Sequence, residues 1–433
     1  MGNRILERYF PRLPDGWIEM HIGDALEEVD YPIKMRDSEV YHLVSIRRRS
    51  GGMFLRESLP GSKILTKTLR EVVPGTFVIA RMQVVHGATA LATTEFAGCA
   101  ISKSYSTFTG TRRCTARYFS WLAKLPFMYA YFLDSSQGVV IEKMTFDQER
   151  WLSLPIYLPP VSEQRRITEI LDTVDKAIRV AEQLIVKADL VRQGVLHDLL
   201  SRGIGGARTL RDGAGPGEFV ASALGPIPAS WSTSLLESLA RISSGTTPPR
   251  EQSRYWAGGT IPWVKTGEVA FTTITGTAEH VTASALRETS LRLLPAETLL
   301  VAMYGEGVTR GRCALLGTPA TTNQACAALE VNRSHLSPRF LYHYLQSNYD
   351  RVRDLGQGSH QTNLSCALLG KLEIVVPPLY EQEAIAATLD GIDNRIQAER
   401  DGLAKLTRLR LGLMEALLTG RVRVRARLEG EAA

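Results

Sequence analysis

Apolar side chains recur in alternating steps of four and three residues along two long stretches of the chain. The first set is Ile167, Leu171, Val174, Ile178, Ala181, Ile185, Ala188, Arg192, Val195 and Leu199. The second set is Ile385, Leu389, Ile392, Ile396, Glu399, Leu403, Leu406, Arg410, Leu413 and Leu417. A heptad pattern sustained over more than four heptads is typical of a coiled-coil seam. We therefore predict a long helix in each stretch.

Both predicted helices have recognisable ends. The proline pairs 159–160 and 377–378 keep the backbone extended before the first turn. Glu163 and Glu381 fall in the first turn, where a carboxylate suits the positive end of the helix dipole. The helices are expected to end near Gly203 and Gly420. Each is then ~38 residues, or ~57 Å, long.

Two such helices in one chain can cover each other's seams. We favour an antiparallel pair, because a near-duplicate chain then acquires a pseudo-two-fold axis. Arg192 and Arg410 occupy seam positions. They are predicted to fix the register or to extend to solvent near a helix end; a buried functional role is the alternative.

The two stretches belong to an internal repeat with a constant offset of 218 residues and no gap between residues 154 and 200. PPVSEQRRITEILD at Pro159 becomes PPLYEQEAIAATLD at Pro377. A weaker echo lies upstream, where LPDGW ends at Trp17 and IPASW ends at Trp231. The layout is thus variable, repeated, variable, repeated.

A chain of 433 residues is too long for one ordinary core. We predict an α+β protein: two dissimilar globular α/β domains separated by two long helices that pack as an antiparallel coiled coil, with a pseudo-two-fold internal repeat. The predicted segments are 1–150 (first variable domain), 151–203 (first repeated segment), 204–222 (linker), 223–372 (second variable domain), 373–425 (second repeated segment) and 426–433 (tail).

Local patterns in the variable regions predict short strands and one helix. Strand-like runs lie at 76–87, 138–144 and 298–305. A helix is predicted from Pro338, with Ser337 as its N-cap and Gly356 as its end.

Composition adds few constraints. The net charge of +6 is compatible with binding a polyanion but does not require it. No apolar run is long enough to span a bilayer, and the N-terminus lacks a signal-peptide core, so a cytoplasmic location without membrane contact is expected. The five cysteines form no C-x-x-C, which argues against a disulfide framework or a zinc knuckle; no metal site is predicted.

Basic and amide side chains cluster in both variable regions. Arg, Asn and Gln can contact base edges, and Arg and Lys neutralise phosphates. Each cluster alone also fits a solvated surface, but their presence in both regions favours DNA binding. The predicted DNA-binding residues are Arg47, Arg48, Arg49, Lys103, Arg112, Arg113 and Arg117 in the first region, and Lys265, Thr266, Tyr304, Arg310, Arg312, Asn323, Gln324, His360, Gln361 and Asn363 in the second.

Catalytic signatures are absent from the sequence. It has no G-x-x-x-x-G-K-[ST], H-E-x-x-H or G-x-S-x-G, and no Asp or Glu is followed two places on by Lys. The two PP stretches follow Leu158 and Val376, so neither reads as the adenine-methylating [DN]-P-P-[YFW]. The chain is predicted to be non-catalytic.

The opening tryptophans, the PP-x-x-EQ stretches and the twin heptad helices resemble the specificity subunit of Type I restriction–modification systems. SSGTTPPREQSRYWAGGTIPWVKTGEV (243–269), TTNQACAALEV and NLSCALLGKLEIVVPPLYEQ add to this resemblance, whereas the first variable region matches little beyond its start. The resemblance implies two target recognition domains that read a split site in double-stranded DNA. It also implies helices that set the gap and dock two methylation subunits.

The same resemblance implies that cofactors belong to partner subunits. S-adenosylmethionine would be held by the methylation subunits, and ATP with magnesium by restriction subunits where these join; this chain would hold none. Glu163, Gln164, Glu381 and Gln382 are then predicted to face a partner, with simple helix initiation as the alternative. The competing hypotheses are a non-catalytic coiled-coil adaptor with two protein-interaction domains and an enzyme with an unrecognised site.

Overall fold

The computed structural model describes residues 2–10, 12–138, 144–204, 210–211, 218–305, 307–356 and 363–424. The chain divides into two compact units, which we call the first unit (Met1–Glu182 with Asp401–Ala433) and the second unit (Gln183–Arg400). Each of the two long helices contributes one half to each unit. Among the described helices, none combines the length and the apolar character needed to cross a membrane.

The first variable region consists of short strands and short helices, and a long helix follows it. They are α1 (Gly2–Tyr9), β1 (Ile18–His21), α2 (Ile22–Ala25), β2 (Leu26–Glu28), β3 (Pro32–Ile33), β4 (Val40–Ile46), β5 (Met53–Pro60), β6 (Leu69–Glu71), β7 (Phe77–Ala80), β8 (Thr89–Leu91), β9 (Ala100–Ser102), β10 (Tyr105–Gly110), α3 (Ala116–Leu122), α4 (Pro126–Asp134), β11 (Ser136–Gln137), β12 (Thr145–Phe146), α5 (Gln148–Leu152), β13 (Pro155–Leu158) and α6 (Val161–Ser201).

The second half of the chain is built in the same way. Its elements are β14 (Phe219–Ser222), β15 (Gly225–Pro228), β16 (Ser232–Leu235), α7 (Leu236–Leu239), β17 (Ala240–Ser244), β18 (Ile261–Val264), β19 (Thr273–Ile274), β20 (Glu279–Val281), α8 (Ala283–Glu288), β21 (Leu299–Ala302), β22 (Cys313–Leu316), β23 (Thr321–Thr322), β24 (Cys326–Val331), α9 (Pro338–Ser347), α10 (Tyr349–Asp354), α11 (Cys366–Gly370), β25 (Glu373–Val376) and α12 (Leu379–Leu418).

The main sheets of the two variable regions share an order of four strands, although the sequences differ. The first unit has a sheet in the order β2-β10-β7-β8, and the second has β17-β24-β21-β22 with β19 added at the edge. A parallel pair accompanies each sheet, β4 with β9 and β18 with β23. The sheets that contain these parallel pairs differ, with the order β3-β6-β9-β4-β5 in the first unit and β20-β18-β23 in the second. The two domains therefore share the order of four strands in their main sheets and differ in their second sheets.

A two-stranded pair joins the start of each variable region to its end. In the first unit β1 pairs antiparallel with β13, and Ile18 lies opposite Leu158. In the second unit β16 pairs with β25 in the same way, and Ser232 lies opposite Val376. Each pair thus connects the strand after the opening tryptophan to the strand that leads into a long helix.

The long helices confirm the heptad prediction. α6 has 41 residues and α12 has 40, close to the predicted length. All twenty predicted seam positions are buried or half-buried. Within each unit the two helices run antiparallel, because residue numbers rise along one helix as those of their partners fall. The partners lie on the other helix, except Arg423, which lies just after the end of α12. The ion pairs are Glu163–Arg423 and Asp175–Arg410 in the first unit, and Asp189–Arg400 and Arg192–Asp393 in the second.

The two seam arginines contact aspartates of the facing helix. Arg410 Nη1 lies 2.9 Å from Asp175 Oδ1, and Arg192 Nη2 lies 3.0 Å from Asp393 Oδ2. Arg192 also donates to Gln346 Oε1 over 2.7 Å. Because Asp175 and Asp393 are equivalent in the repeat, the two pairs are copies of one arrangement. Their position across the seam is the one expected of a register device.

Two local predictions need correction. The helix from Pro338 ends at Ser347, and a second one begins at Tyr349, because Asn348 adopts a φ of −100° and a ψ of 27°. Ser337 is its N-cap as predicted, accepting from the Phe340 amide. The run at 76–87 is a strand only to Ala80, and Arg81–His86 form a 3₁₀ helix. Most of the run at 138–144 and of the linker lies outside the described residues.

Candidate nucleic-acid interface and its supports

The glutamine of the first PP-x-x-EQ stretch connects α6 to the start of a domain helix. Gln164 is buried, and its Nε2 donates to the carbonyl oxygens of Arg113 over 2.7 Å and Pro159 over 2.9 Å. Its Oε1 accepts from the Thr115 amide over 3.1 Å. Thr115 is the N-cap of α3. One side chain therefore links the start of the long helix to the N-terminus of α3.

Gln382 makes the same contacts in the second unit. Its Nε2 donates to the carbonyl oxygens of His335 over 2.9 Å and Pro377 over 2.8 Å. Its Oε1 accepts from the Ser337 amide over 2.8 Å. Since Ser337 is the N-cap of α9, each contact of Gln164 has a counterpart here.

An aspartate about two turns after the glutamine on each long helix makes a further contact to the same domain helix. Asp172 Oδ1 accepts from Trp121 Nε1 over 2.8 Å, and its Oδ2 lies 2.6 Å from Arg117 Nε. Asp390 accepts from His343 and Arg339 over 3.0 and 2.8 Å. We call Gln164 with Asp172 the first clamp, and Gln382 with Asp390 the second clamp.

The environment of Asp390 favours its charged form. Burial raises the pKa of this carboxyl, but the hydrogen bonds and charges of His343 and Arg339 outweigh burial and leave the pKa below its ordinary value. The second clamp is therefore held by an ionised carboxylate at neutral pH.

The glutamates beside the two glutamines bind the segment that follows the other long helix. Glu163 accepts from Arg423 Nη2 over 2.7 Å and Glu381 from Arg211 Nη1 over 2.6 Å. Glu381 also accepts from the Ile204 amide over 2.7 Å. Glu163, Gln164, Glu381 and Gln382 are all buried against their own chain. Their role as partner-facing residues stays a prediction, whereas their internal contacts explain why both halves carry them.

Each opening tryptophan covers the end of a long helix within its own unit. Gly420 and Gly203 end the helices with φ values of +70° and +68°, a conformation that L side chains rarely adopt. A Cβ at Gly420 would lie 3.1 Å from Trp17 Cζ2, and one at Gly203 would lie 2.6 Å from Trp231 Cζ2. The positive φ and the close neighbours, which include Pro14 at Gly420 and Glu381 at Gly203, favour glycine at both helix ends.

Most predicted DNA-binding residues of the second unit lie at one end of its main sheet. They adjoin the ends of the neighbouring strands β21, β22 and β24 of that sheet and the end of β18 in the second sheet. Thr266 Oγ1 lies 3.2 Å from Asn323 Oδ1, and the Met303 amide donates to the carbonyl of Ala325 over 2.8 Å, so the loops contact one another. We call this set the sheet-end cluster: Lys265, Thr266, Tyr304, Arg312, Asn323 and Gln324.

Two cations at this end are held in place by a carboxylate and aromatic rings. Lys265 Nζ lies 2.7 Å from Glu279 Oε1, and Arg250 binds the other oxygen. The hydrogen bonds from Arg250 and then Lys265 lower the pKa of Glu279 below its ordinary value. The Arg250 guanidinium stacks 3.9 Å from the centre of the Trp256 ring. An oriented guanidinium beside aromatic rings suits contacts to phosphates or bases.

The remaining candidates of the second unit extend this end of the sheet. Arg312 Nε is buried without a hydrogen-bond partner in the described part of the chain, and its guanidinium carbon lies 5.8 Å from the centre of the Phe271 ring. Arg310 is half-buried two residues before it, and Asn363 is exposed. The Leu364 amide donates to the Met303 carbonyl over 3.0 Å, which brings Asn363 near Tyr304. His360 and Gln361 lie outside the described residues.

In the first unit, four candidates gather at the equivalent end of the sheet. Arg47, Arg48 and Arg49 are exposed in the turn between β4 and β5, and Lys103 is exposed in the turn between β9 and β10. Arg48 Nε donates to Gln83 over 2.9 Å, and the Arg81 amide donates to the Ser104 carbonyl over 3.0 Å. The 3₁₀ helix that carries Gln83 follows β7, as the loop with Arg312 follows β21.

The other three candidates of the first unit lie at the opposite end of β10. Arg112 and Arg113 form the turn before α3, and Arg117 is paired with Asp172. A six-residue strand, ~20 Å long, separates this end from Lys103. DNA binding by these three residues stays a prediction, but their surroundings are those of the first clamp.

Some residues with a part in these arrangements were not predicted. Asp172 and Asp390 are identical in the repeat and could have been singled out on that ground. Arg250 and Arg81 carry no pattern that distinguishes them from other surface arginines. Among the described residues, no three His, Cys, Asp or Glu side chains gather in a way that could hold a metal ion.

Comparison with known proteins assigns both halves to one family. Residues 61–188 and 228–408 match the Type I restriction modification DNA specificity domain. The two matches include α6 and α12 for most of their length, and they cover both variable regions in large part.

Curated relatives include the putative type I restriction enzyme MjaX specificity subunit of Methanocaldococcus jannaschii, 24% identical over 66% of this chain and 63% of the relative. The EcoR124I/EcoR124II specificity subunit of Escherichia coli is 25% identical over 42% of this chain and 45% of the relative. The chain thus matches less than two thirds of the length of these relatives.

Solved structures share the fold at low sequence identity. A Type-I restriction-modification system S subunit from M. genitalium has a TM-score of 0.61 at 14% identity, covering 94% of this chain and 97% of that one. A chain from a study of complex assembly of the type I R-M system has a TM-score of 0.52 at 17% identity, covering 95% of this chain and 100% of that one.

Proposed function

Since the chain belongs to the family of Type I restriction modification DNA specificity domains, we propose that it recognises DNA sequence for a restriction–modification complex. In this proposal each variable domain is a target recognition domain that reads one part of a split site in double-stranded DNA. The paired long helices set the gap between the two parts.

The observation that carries the proposal is the presence of two family matches in one chain, each with its own sheet and its own clamp. Two copies of a recognition unit, joined by an antiparallel helix pair, are what a two-part site requires. The pseudo-two-fold repeat supports equal roles for the two halves, and their different surface residues support different target bases.

We propose the sheet ends as the surfaces that read DNA. In the second unit the sheet-end cluster brings amides, hydroxyls and cations together, the groups that bind base edges and phosphates. In the first unit Arg47, Arg48, Arg49 and Lys103 form the corresponding basic surface. Arg310, Asn363 and the two residues outside the described part, His360 and Gln361, extend the proposal for the second unit.

The proposed partners supply the chemistry. Two methylation subunits would dock on the long helices and hold S-adenosylmethionine, and restriction subunits would add ATP-driven translocation and cleavage. This chain would recognise the DNA sequence and would contribute no catalytic group. The sequence resemblance and the family membership of the chain support these partners.

Modified-base sequencing tests the proposal directly. DNA would be taken from cells that express this chain together with a Type I methylation subunit of the same host. The expected result is methyladenine in two short motifs separated by a fixed gap of unspecified bases. A soluble complex without any such two-part mark would overturn the proposal and favour the adaptor hypothesis.

A further inference from the structure

We infer that the two clamps are positioning devices that limit which gap lengths the chain accepts, an inference that rests on the proposed function. In the proposed function, the length of the paired helices sets the gap between the two half-sites. It does not set the orientation of a recognition domain on its helix. That orientation depends on the contacts between the long helix and the domain helix, α3 or α9.

The clamp contacts act at two points on each long helix. Gln164 and Asp172 are eight residues apart, as are Gln382 and Asp390, which corresponds to ~12 Å along the axis. The glutamine holds the N-cap of the domain helix, and the aspartate holds side chains in the following turns. A single contact point allows a pivot about it, whereas two separated points fix direction as well as position.

Direction at the clamp matters because DNA is read in small steps. Consecutive base pairs are ~3.4 Å apart. A small rotation of the domain helix is enlarged at the far end of the domain, where the sheet-end residues lie. Loosening one clamp should therefore let one recognition domain reach bases one step nearer or farther. The bases that it prefers should stay the same.

The aspartates are the better targets for a test, because they are half-buried and the glutamines are fully buried. Asp172→Ala removes the acceptor of Trp121 and Arg117 and leaves Gln164 in place. Asp390→Ala does the same in the second unit. Asp172→Asn and Asp390→Asn are milder variants for use where alanine impairs folding. Glu169→Ala and Glu383→Ala, on exposed positions of the same helices, are the matched controls.

The functional readout is methylation by the full complex of a DNA library in which both half-sites are fixed and the gap varies by single base pairs. We expect wild type and controls to accept one gap. Each clamp variant should methylate the neighbouring gaps at rates within about tenfold of the best gap, equivalent to about 1.4 kcal/mol. An unchanged gap profile with lower total activity in a folded variant would overturn the inference.

A second measurement does not depend on DNA. Two spin labels, at the exposed positions 65 and 180 of the first unit, report the distance between the recognition domain and its helix in the full chain. The distance distribution should broaden in Asp172→Asn and stay unchanged in Glu169→Ala. If the distance distributions of Asp172→Asn and wild type have equal widths, the first clamp is not a positioning device. If the wild-type complex methylates no two-part site, both the proposed function and the inferred effect on gap length are wrong. The width of the distance distribution still tests the clamp contacts in that case.

Discussion

The two units are alike at the starts of their long helices and differ at the ends of their main sheets. At the helix starts, Gln164 and Gln382 make equivalent hydrogen bonds to equivalent backbone groups. At the sheet ends only the strand order is common, and the side chains differ. Where each long helix packs on its own domain, both halves keep the same glutamine and the same aspartate. Where the chain presents groups for binding, the two halves diverge.

Spacing along the chain shows the same division. The glutamines are 218 positions apart, but the N-cap residues that they hold, Thr115 and Ser337, are 222 apart. The variable regions therefore changed length while the contact was kept. Geometry at the helix start is a constraint on both halves, and the number of intervening residues is not.

Removal of a glutamine is expected to have the largest effect on stability. Gln164→Ala and Gln382→Ala each leave two carbonyl oxygens and one amide without their partner, at about 1–3 kcal/mol per buried group. Each unit should lose about 3 kcal/mol or more, the lower end of that range for three groups, measured by urea unfolding followed by tryptophan fluorescence. Gln193→Ala, exposed on the same helix, is the control. A large loss of stability from only one of the two substitutions would show that the clamps are not equivalent.

Substitutions at the sheet end should separate the halves. Arg310→Ala and Arg312→Ala are expected to weaken recognition of one half-site by about 1–3 kcal/mol, since a guanidinium contact to a base edge is lost. Binding to DNA with each half-site scrambled in turn measures this. The half-site read by the first unit should be unaffected. Equal loss at both half-sites would contradict the assignment of this surface to one of them.

The seam pairs give a finer comparison. Arg192→Met should destabilise the second unit by about 1–2 kcal/mol, because Asp393 loses its partner in a half-buried place. Arg410→Met should cost the first unit less, since the Arg410 side chain is 29% exposed and that of Arg192 13%. Thermal unfolding of the two variants decides the order. The reverse order would show that burial does not govern these pairs.

The smallest expected effect is on the stability of the protein at acidic pH. The folded pKa of Asp390 is lowered, so its contribution to stability is present above the ordinary range of an aspartate, ~3.9, and is lost as pH falls through the folded pKa. Asp390→Asn should therefore lower stability at pH 7 and flatten the acid dependence of unfolding below pH 4. Glu383→Gln should leave that dependence as in wild type. A parallel shift at all pH values would contradict this account.

Much of the scaffold could be predicted because identical residues recur at one offset. The helices, their pairing and the seam arginines follow from that repeat. The shared strand order could not be predicted, because strands of two to eight residues carry little periodicity and the two regions have different lengths. Arg117 stands out in the sequence only for its charge, and the fold brings it to Asp172. Convergence of Lys265, Arg312 and Asn323 likewise depends on the order of the strands.

The measurement that tests the central claim most directly is the insertion of one heptad at the midpoint of both long helices. Each insertion lengthens a helix by ~10 Å, equivalent to about three base pairs. Modified-base sequencing of the complex should then show the same two half-sites with a gap about three base pairs longer. An unchanged gap in a folded, active variant would mean that the paired helices do not set the distance between the half-sites.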